Sequence, residues 1–184
     1  MKAVVVYESM FGNTRVIAES VAEGLRSNHD EVAVVPVGEA DPRHLGEADL
    51  VVVGGPTHAW GMSRPATRRG APDYVRRSKG VLTLEPGAAG PGVRELLASL
   101  GQVRTKAAAF DTRVNRSPLL TGRASKGIAR ELRRHGFQLV APPESFFVTG
   151  KSVMVPGEAD RARAFGARLA AVGLRSASTP PAPS

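Results

Sequence analysis

Along most of the chain, short apolar runs alternate with longer segments in which apolar residues return every third or fourth position. The runs Ala3–Tyr7, Val32–Val37, Leu50–Val53 and Ala107–Phe110, and the stretch Gln138–Val148 interrupted by Pro142-Pro143, are rich in Val and Ala and largely continuous. A strand with one wet face alternates apolar and polar residues, so continuous runs predict strands covered on both faces. Between them, Ile17, Val21 and Leu25, and later Phe165, Leu169 and Val172, fall at helical spacing and predict helices over Thr14–Ser27 and Glu158–Val172. Shorter helical pieces are predicted at Asp41–Glu47, Val93–Leu100 and Ser125–Arg134. Repeated strand–helix units predict an α/β fold, a doubly wound five-stranded parallel sheet of order 2-1-3-4-5 with helices on both faces. In that topology a ligand binds at the carboxyl ends of strands 1 and 3, where the winding reverses.

The stretch Val4–Thr14, VVVYESMFGNT, carries the candidate chemistry: an apolar strand runs into a short Ser/Gly/Asn/Thr loop and then into a helix. A helix start leaves backbone N–H groups unpaired and carries partial positive charge, so it stabilises an anion. Ser9, Asn13 and Thr14 add side-chain donors, Gly12 lets the backbone approach closely, and Met10 and Phe11 contribute N–H groups. The loop has neither the three-glycine dinucleotide spacing nor the Gly-Lys-Ser/Thr ending of a P-loop, which argues against NAD and ATP.

These residues resemble the flavodoxin family. Ser9-Met10-Phe11-Gly12-Asn13-Thr14 is similar to the family's Thr-x-Thr-Gly-x-Thr loop, which holds the phosphate of FMN, with Phe11 in place of the second hydroxyl. Pro56, Thr57, His58, Ala59, Trp60 and Gly61, at the end of the third strand, resemble the loop that lies along the flavin ring. Asp111, Thr112 and Arg113, after the fourth strand, resemble the second flavin-side loop. The resemblance spans residues 1–174 and implies an FMN-binding domain that shuttles one or two electrons between a reductase and a redox acceptor, with FMN as cofactor. It leaves open an FMN-dependent NAD(P)H:quinone reductase, and a basic interaction module without flavin. Trp60, the single tryptophan and set in a Gly/Pro/His loop, is expected either to stack on such a ring or to anchor the loop, and His58 either to bond the ring's polar edge or carry a proton or to stand at the surface without a role.

Composition narrows the chemistry. With no Cys, disulfides, thiolate metal sites and cysteine nucleophiles are excluded, and redox work falls to a bound cofactor. His29, His44, His58 and His135 are scattered without a paired carboxylate motif, so no metal is expected, and Ser9 lacks the elbow of a hydrolase nucleophile. The chain opens on a strand and contains no run of membrane-spanning length, which predicts a cytoplasmic protein without membrane insertion. Its net charge of +8 is uneven, −1 over residues 1–100 and +9 over 101–184. Such a field predicts redox partners with an acidic docking face and, by the same Coulomb effect, a less negative flavin potential than an acidic relative has. Aromatic residues, at 5%, are too few for stacking on single-stranded nucleic acid. Residues 63–92, crowded with Arg and broken by Pro65, Gly70 and Pro72, predict a broken helix and a loop over one face. Residues 175–184 are expected to form a disordered tail rich in Pro and Ser.

Overall fold

The computed structural model describes residues 2–27, 31–58 and 60–175. Strands β1 (Lys2–Tyr7), β2 (Glu31–Pro36), β3 (Leu50–His58) and β5 (Lys106–Val114) pair in parallel in the order β2-β1-β3-β5. The fifth place is shared by β6 (Gln138–Leu139) and β7 (Glu144–Val148), both parallel to β5 and separated around Pro142-Pro143. Proline lacks the N–H that a ladder needs, so the strand stops and resumes. The two-residue β4 (Gly61–Met62) folds back antiparallel on the end of β3. The predicted doubly wound order is therefore present, with one strand split and one short strand added.

Successive strand residues feed opposite layers. Val4, Val6, Val51, Val53, Ala107 and Ala109 pack on one face beneath helices α4 (Val93–Ala98) and α6 (Ala124–Arg134). Ala3, Val5, Leu50, Val52, Ala108 and Phe110 pack on the other beneath α1 (Asn13–Leu25) and α7 (Glu158–Arg175). On that second face Phe110, Phe146 and Phe165 meet edge to face at 6.0 and 6.2 Å. Helices α1 and α7 cross so closely that a Cβ on Gly166 would lie 2.1 Å from the Val21 carbonyl oxygen. This contact sets the position of α1, whose start is the anion loop. The Asp41–Glu47 piece is a single 3₁₀ turn at His44–Glu47.

Residues 63–92 form two short helices, α2 (Pro65–Arg69) and α3 (Ala71–Arg77), followed by a loop that packs Ala88 and Leu84 against Met10 and Phe11. A further short helix, α5 (Pro118–Thr121), leads into α6. Residues 176–184, most of the predicted tail, lie outside the described residues.

Candidate functional site

At the carboxyl ends of β1, β3 and β5 lies a cavity of about 450 Å³. Met10, Phe11, Asn13 and Thr14 from the anion loop line it, with Pro56, Thr57 and His58 from β3 and Thr112, Arg113 and Val114 from β5. These segments are remote in sequence, and the parallel register brings them together: Gly55 pairs with Asp111 and Pro56 with Thr112.

The anion loop is built for a ligand it does not itself supply. Gly12 sits at φ 86° in the left-handed region, which turns the chain from β1 into α1 at no side-chain cost. No side chain caps α1 and no acidic residue occupies its first turn, so among the described residues no side chain takes up the N–H groups of its opening residues, two of which, Asn13 and Thr14, line the cavity. Ser9 is buried and accepts from the Gly12 N–H at 3.1 Å, which braces the loop from behind. The Thr14 hydroxyl lies 2.8 Å from the Thr112 hydroxyl and ties the loop to β5. Asn13 Nδ2 donates to the Ser152 carbonyl at 2.7 Å, bringing Ser152 to the rim. Phe11 turns aside and stacks on Tyr74, with ring centroids 5.7 Å apart, and both rings line the cavity. An aromatic wall thus stands where the family pattern has a second hydroxyl.

The far wall is polar. Asp111 does not face the cavity: fully buried, its Oδ2 accepts from Thr57 Oγ1 at 3.1 Å and from the Ser125 N–H at 2.8 Å. Thr57 Oγ1 in turn accepts from the Ala124 N–H at 2.9 Å, so one buried carboxylate fastens the ends of β3 and β5 to the start of α6. Arg113 is only 8% exposed, lies over the Phe147 ring at 4.9 Å and donates to the Arg116 carbonyl at 2.6 Å, while its Nε has no partner. Desolvation lowers its pKa, against the attraction of Asp111. The site therefore holds a buried cation with spare donor capacity. His58 is held below its ordinary pKa, first by burial and then by the charge of Arg68, so it is neutral near pH 7 and offers one donor and one acceptor.

Behind the roof formed by α2, a second buried cluster anchors that helix. Arg68, 3% exposed, donates to Ser63 Oγ at 2.8 Å and pairs with Glu95 at 2.9 Å. Glu8, 4% exposed, accepts from the Val93 N–H at 2.9 Å. Burial pushes the Glu8 carboxyl above its usual range, against the hydrogen bonds of Ser63 and Val93 and the charge of Arg68.

The remaining expected residues lie at the margin. Trp60 is 68% exposed and sits outside the cavity, on an adjoining groove of about 230 Å³ shared with Leu120 and Thr121. Gly61 lies in β4, and Ala59 falls outside the described residues. Thr67, Tyr74, Val148 and Ser152 line the cavity and carry no motif that marks them in the sequence. Tyr74 had one usable signal, a lone aromatic residue in a short segment that ends in Arg76 and Arg77. Among the described residues, no group of His, Asp and Glu is arranged to hold a metal ion.

The uncapped loop, its hydroxyl donors and the flat walled cavity next to it fit an anionic group joined to a planar ring system, as in FMN. Comparison with known proteins agrees. Residues 5–69 match the sequence profile of the flavodoxins. The fold is similar to a flavodoxin from the domain Archaea, at 22% identity over 94% of this chain and 99% of that one, with a TM-score of 0.64. It is also similar to oxidised flavodoxin 1 from Bacillus cereus, at 19% identity over 95% and 98%, with a TM-score of 0.64. The flavodiiron protein from Giardia intestinalis shares the fold over 36% of its own length and 95% of this chain, at 20% identity and a TM-score of 0.60. No curated protein sequence matches the chain. With the profile match spanning both the anion loop and the end of β3, and the fold similarity extending over nearly the whole chain, the protein has the flavodoxin-like fold and resembles the flavodoxins in sequence over residues 5–69.

Proposed function

We propose that this protein is an electron-transfer member of the flavodoxin family that binds FMN in the cavity and carries one or two electrons at a time between a reductase and a redox acceptor in the cytoplasm. The observation that carries the reading is the uncapped anion loop placed beside a ring-sized cavity at the β1/β3 winding reversal. No helix among the described residues is long and apolar enough to cross a membrane.

In this reading the N–H groups at the start of α1, with Asn13 and Thr14, hold the phosphate. Pro56, Thr57 and His58 support one edge of the ring system, and Phe11 and Tyr74 exclude water from the cavity. FMN supplies the redox chemistry when bound, and the chain tunes it. His58, neutral at the pH of the cell, gives or accepts a hydrogen bond without adding charge. Arg113 does add charge: a buried cation in a medium of low dielectric favours whichever state of the site is more negative. This makes Arg113 the local source of the less negative potential expected from the basic second half of the chain.

A quinone reductase reading gains support from the groove beside Trp60, which opens off the cavity and offers room for a second small molecule. The two are separated by turnover. The FMN-loaded protein is mixed with a quinone and NADPH or NADH, with and without a separate flavoprotein reductase. The shuttle reading expects reduction only when the reductase is present; quinone turnover with the nicotinamide alone would replace it with the enzyme.

A further inference from the structure

The surface next to the cavity presents three large apolar side chains to solvent: Trp60 at 68% exposure, Leu119 at 89% and Leu120 at 68%. Exposed apolar residues scattered singly need no explanation, but a cluster at the rim of a binding site does. Trp60 and Leu120 line one groove, and Thr57, Arg113 and Val114 belong both to that groove and to the cavity. The patch is also held rigidly. Trp60 adopts φ 68°, a left-handed conformation that costs a bulky residue about 1–3 kcal/mol. Its backbone bridges to Gly122, where a Cβ would lie 2.2 Å from the Trp60 Cα. Only glycine allows that approach, and the bridge fixes Trp60 beside α5, which bears both leucines.

The charge around this patch has one sign. Residues 56–70 and 112–130 contain Arg64, Arg68, Arg69, Arg113, Arg116, Arg123, Lys126 and Arg130 and no Asp or Glu. Arg68 and Arg130 have carboxylate neighbours in Glu95 and Glu131, but Arg64, Arg69, Arg116, Arg123 and Lys126 have no ion-pair partner among the described residues. An apolar centre with an uncompensated cationic rim fits the anatomy of a protein interface. A second copy of this chain is disfavoured as occupant, because isologous docking sets arginine against arginine.

We infer that Trp60, Leu119 and Leu120, on segments that also carry the exposed Arg64 and Arg116, form the docking face for a small acidic electron-transfer protein whose own contact face is an apolar spot ringed by carboxylates. The inference rests on the proposed flavin site, since the face is placed to bring such a partner against the open side of that cavity. Apolar contacts give the complex its lifetime, and the cationic rim steers the encounter.

The test uses FMN-loaded protein in stopped flow, in its oxidised form with an acidic reduced [2Fe–2S] ferredoxin as donor and in its photoreduced form with a basic ferricytochrome c as control acceptor. The ferredoxin reaction is a transfer of one electron from the reduced cluster to the oxidised flavin, and it is followed at the flavin band. The inference expects the ferredoxin rate to exceed the cytochrome rate at low salt and to fall about tenfold or more towards 0.3 M salt. It also expects a drop of about tenfold in Leu119→Ser/Leu120→Ser and in Arg116→Glu, while reduction by a small photoreductant stays unchanged. A salt-independent rate, a faster reaction with cytochrome c, or unchanged rates in both variants would overturn it. Calorimetric titration of the ferredoxin onto the protein without FMN separates the two readings: salt-sensitive, patch-dependent binding by a protein that cannot retain FMN would keep the docking face and remove the flavin site. Self-association abolished by Arg116→Glu, or nucleic-acid binding in place of ferredoxin binding, would also reject the inference.

Discussion

Replacing Arg68 by Met should expose how the roof of the cavity is fastened. The substitution keeps most of the stem volume and removes a cation that is 3% exposed and bonded to Ser63 and Glu95. Glu95 is 35% exposed and can rehydrate, but Glu8, at 4%, cannot. Removing one member of a buried ionic group costs about 3–5 kcal/mol. That is a large share of the roughly 5–15 kcal/mol by which a domain is stable. The pH dependence identifies the cause. Burial already holds folded Glu8 above its unfolded pKa, so folding binds a proton between the two values. The associated stability is complete below the unfolded pKa and is lost as pH rises through the folded one. Without Arg68 the folded pKa rises further and this decline steepens. Urea unfolding should therefore show a deficit that is large near pH 8 and shrinks towards about pH 5, with an unchanged m-value. Adding Glu8→Gln to the Met variant should recover most of the loss at the higher pH. An equal deficit at both pH values, or no recovery, would refute the reasoning.

Further outcomes follow from the same geometry. Gly166→Ala forces a methyl group to within 2.1 Å of the Val21 carbonyl oxygen, and overpacking of this kind should lower stability by about 1–3 kcal/mol or more in chemical denaturation. Phe146→Ala removes the central ring of the buried aromatic triplet and should cost about 3–5 kcal/mol in the same assay. His58 has a folded pKa below its unfolded value, so its contribution is present above the unfolded pKa, near 6.5, and lost as pH falls towards the folded one; His58→Gln should flatten stability over that window. Arg113→Gln removes the buried cation and should make the FMN potential more negative in a potentiometric titration, whereas Arg104→Gln, remote from the cavity, should leave it unchanged.

Much of this was visible in the sequence because the signals were local. Continuous Val and Ala runs marked the buried sheet, and the strand–loop–helix order of residues 4–14 marked the anion loop without reference to anything distant. The polar ends of β3 and β5 were harder. Asp111, Thr112 and Arg113 look like loop residues, yet β5 runs through them to Val114, because Thr57 and the start of α6 satisfy the Asp111 carboxylate far away in sequence. Arg68 is similar: among six basic residues between 64 and 79 it alone is buried, a choice made by Ser63 and Glu95 and not by its neighbours. The orientation of Trp60 depends on its positive φ and on Gly122, sixty-two positions later, which no local pattern reveals.

The central claim is most directly tested by adding FMN to the purified protein, removing the excess by gel filtration and recording the visible spectrum, with riboflavin treated in parallel. The structure predicts retained flavin bands with FMN, much weaker retention of riboflavin because the uncapped start of α1 then has no phosphate to hold, and weaker FMN retention in Thr14→Ala, which loses the hydroxyl bridge to Thr112. A colourless protein after FMN treatment, or equal retention of the two flavins, would contradict it.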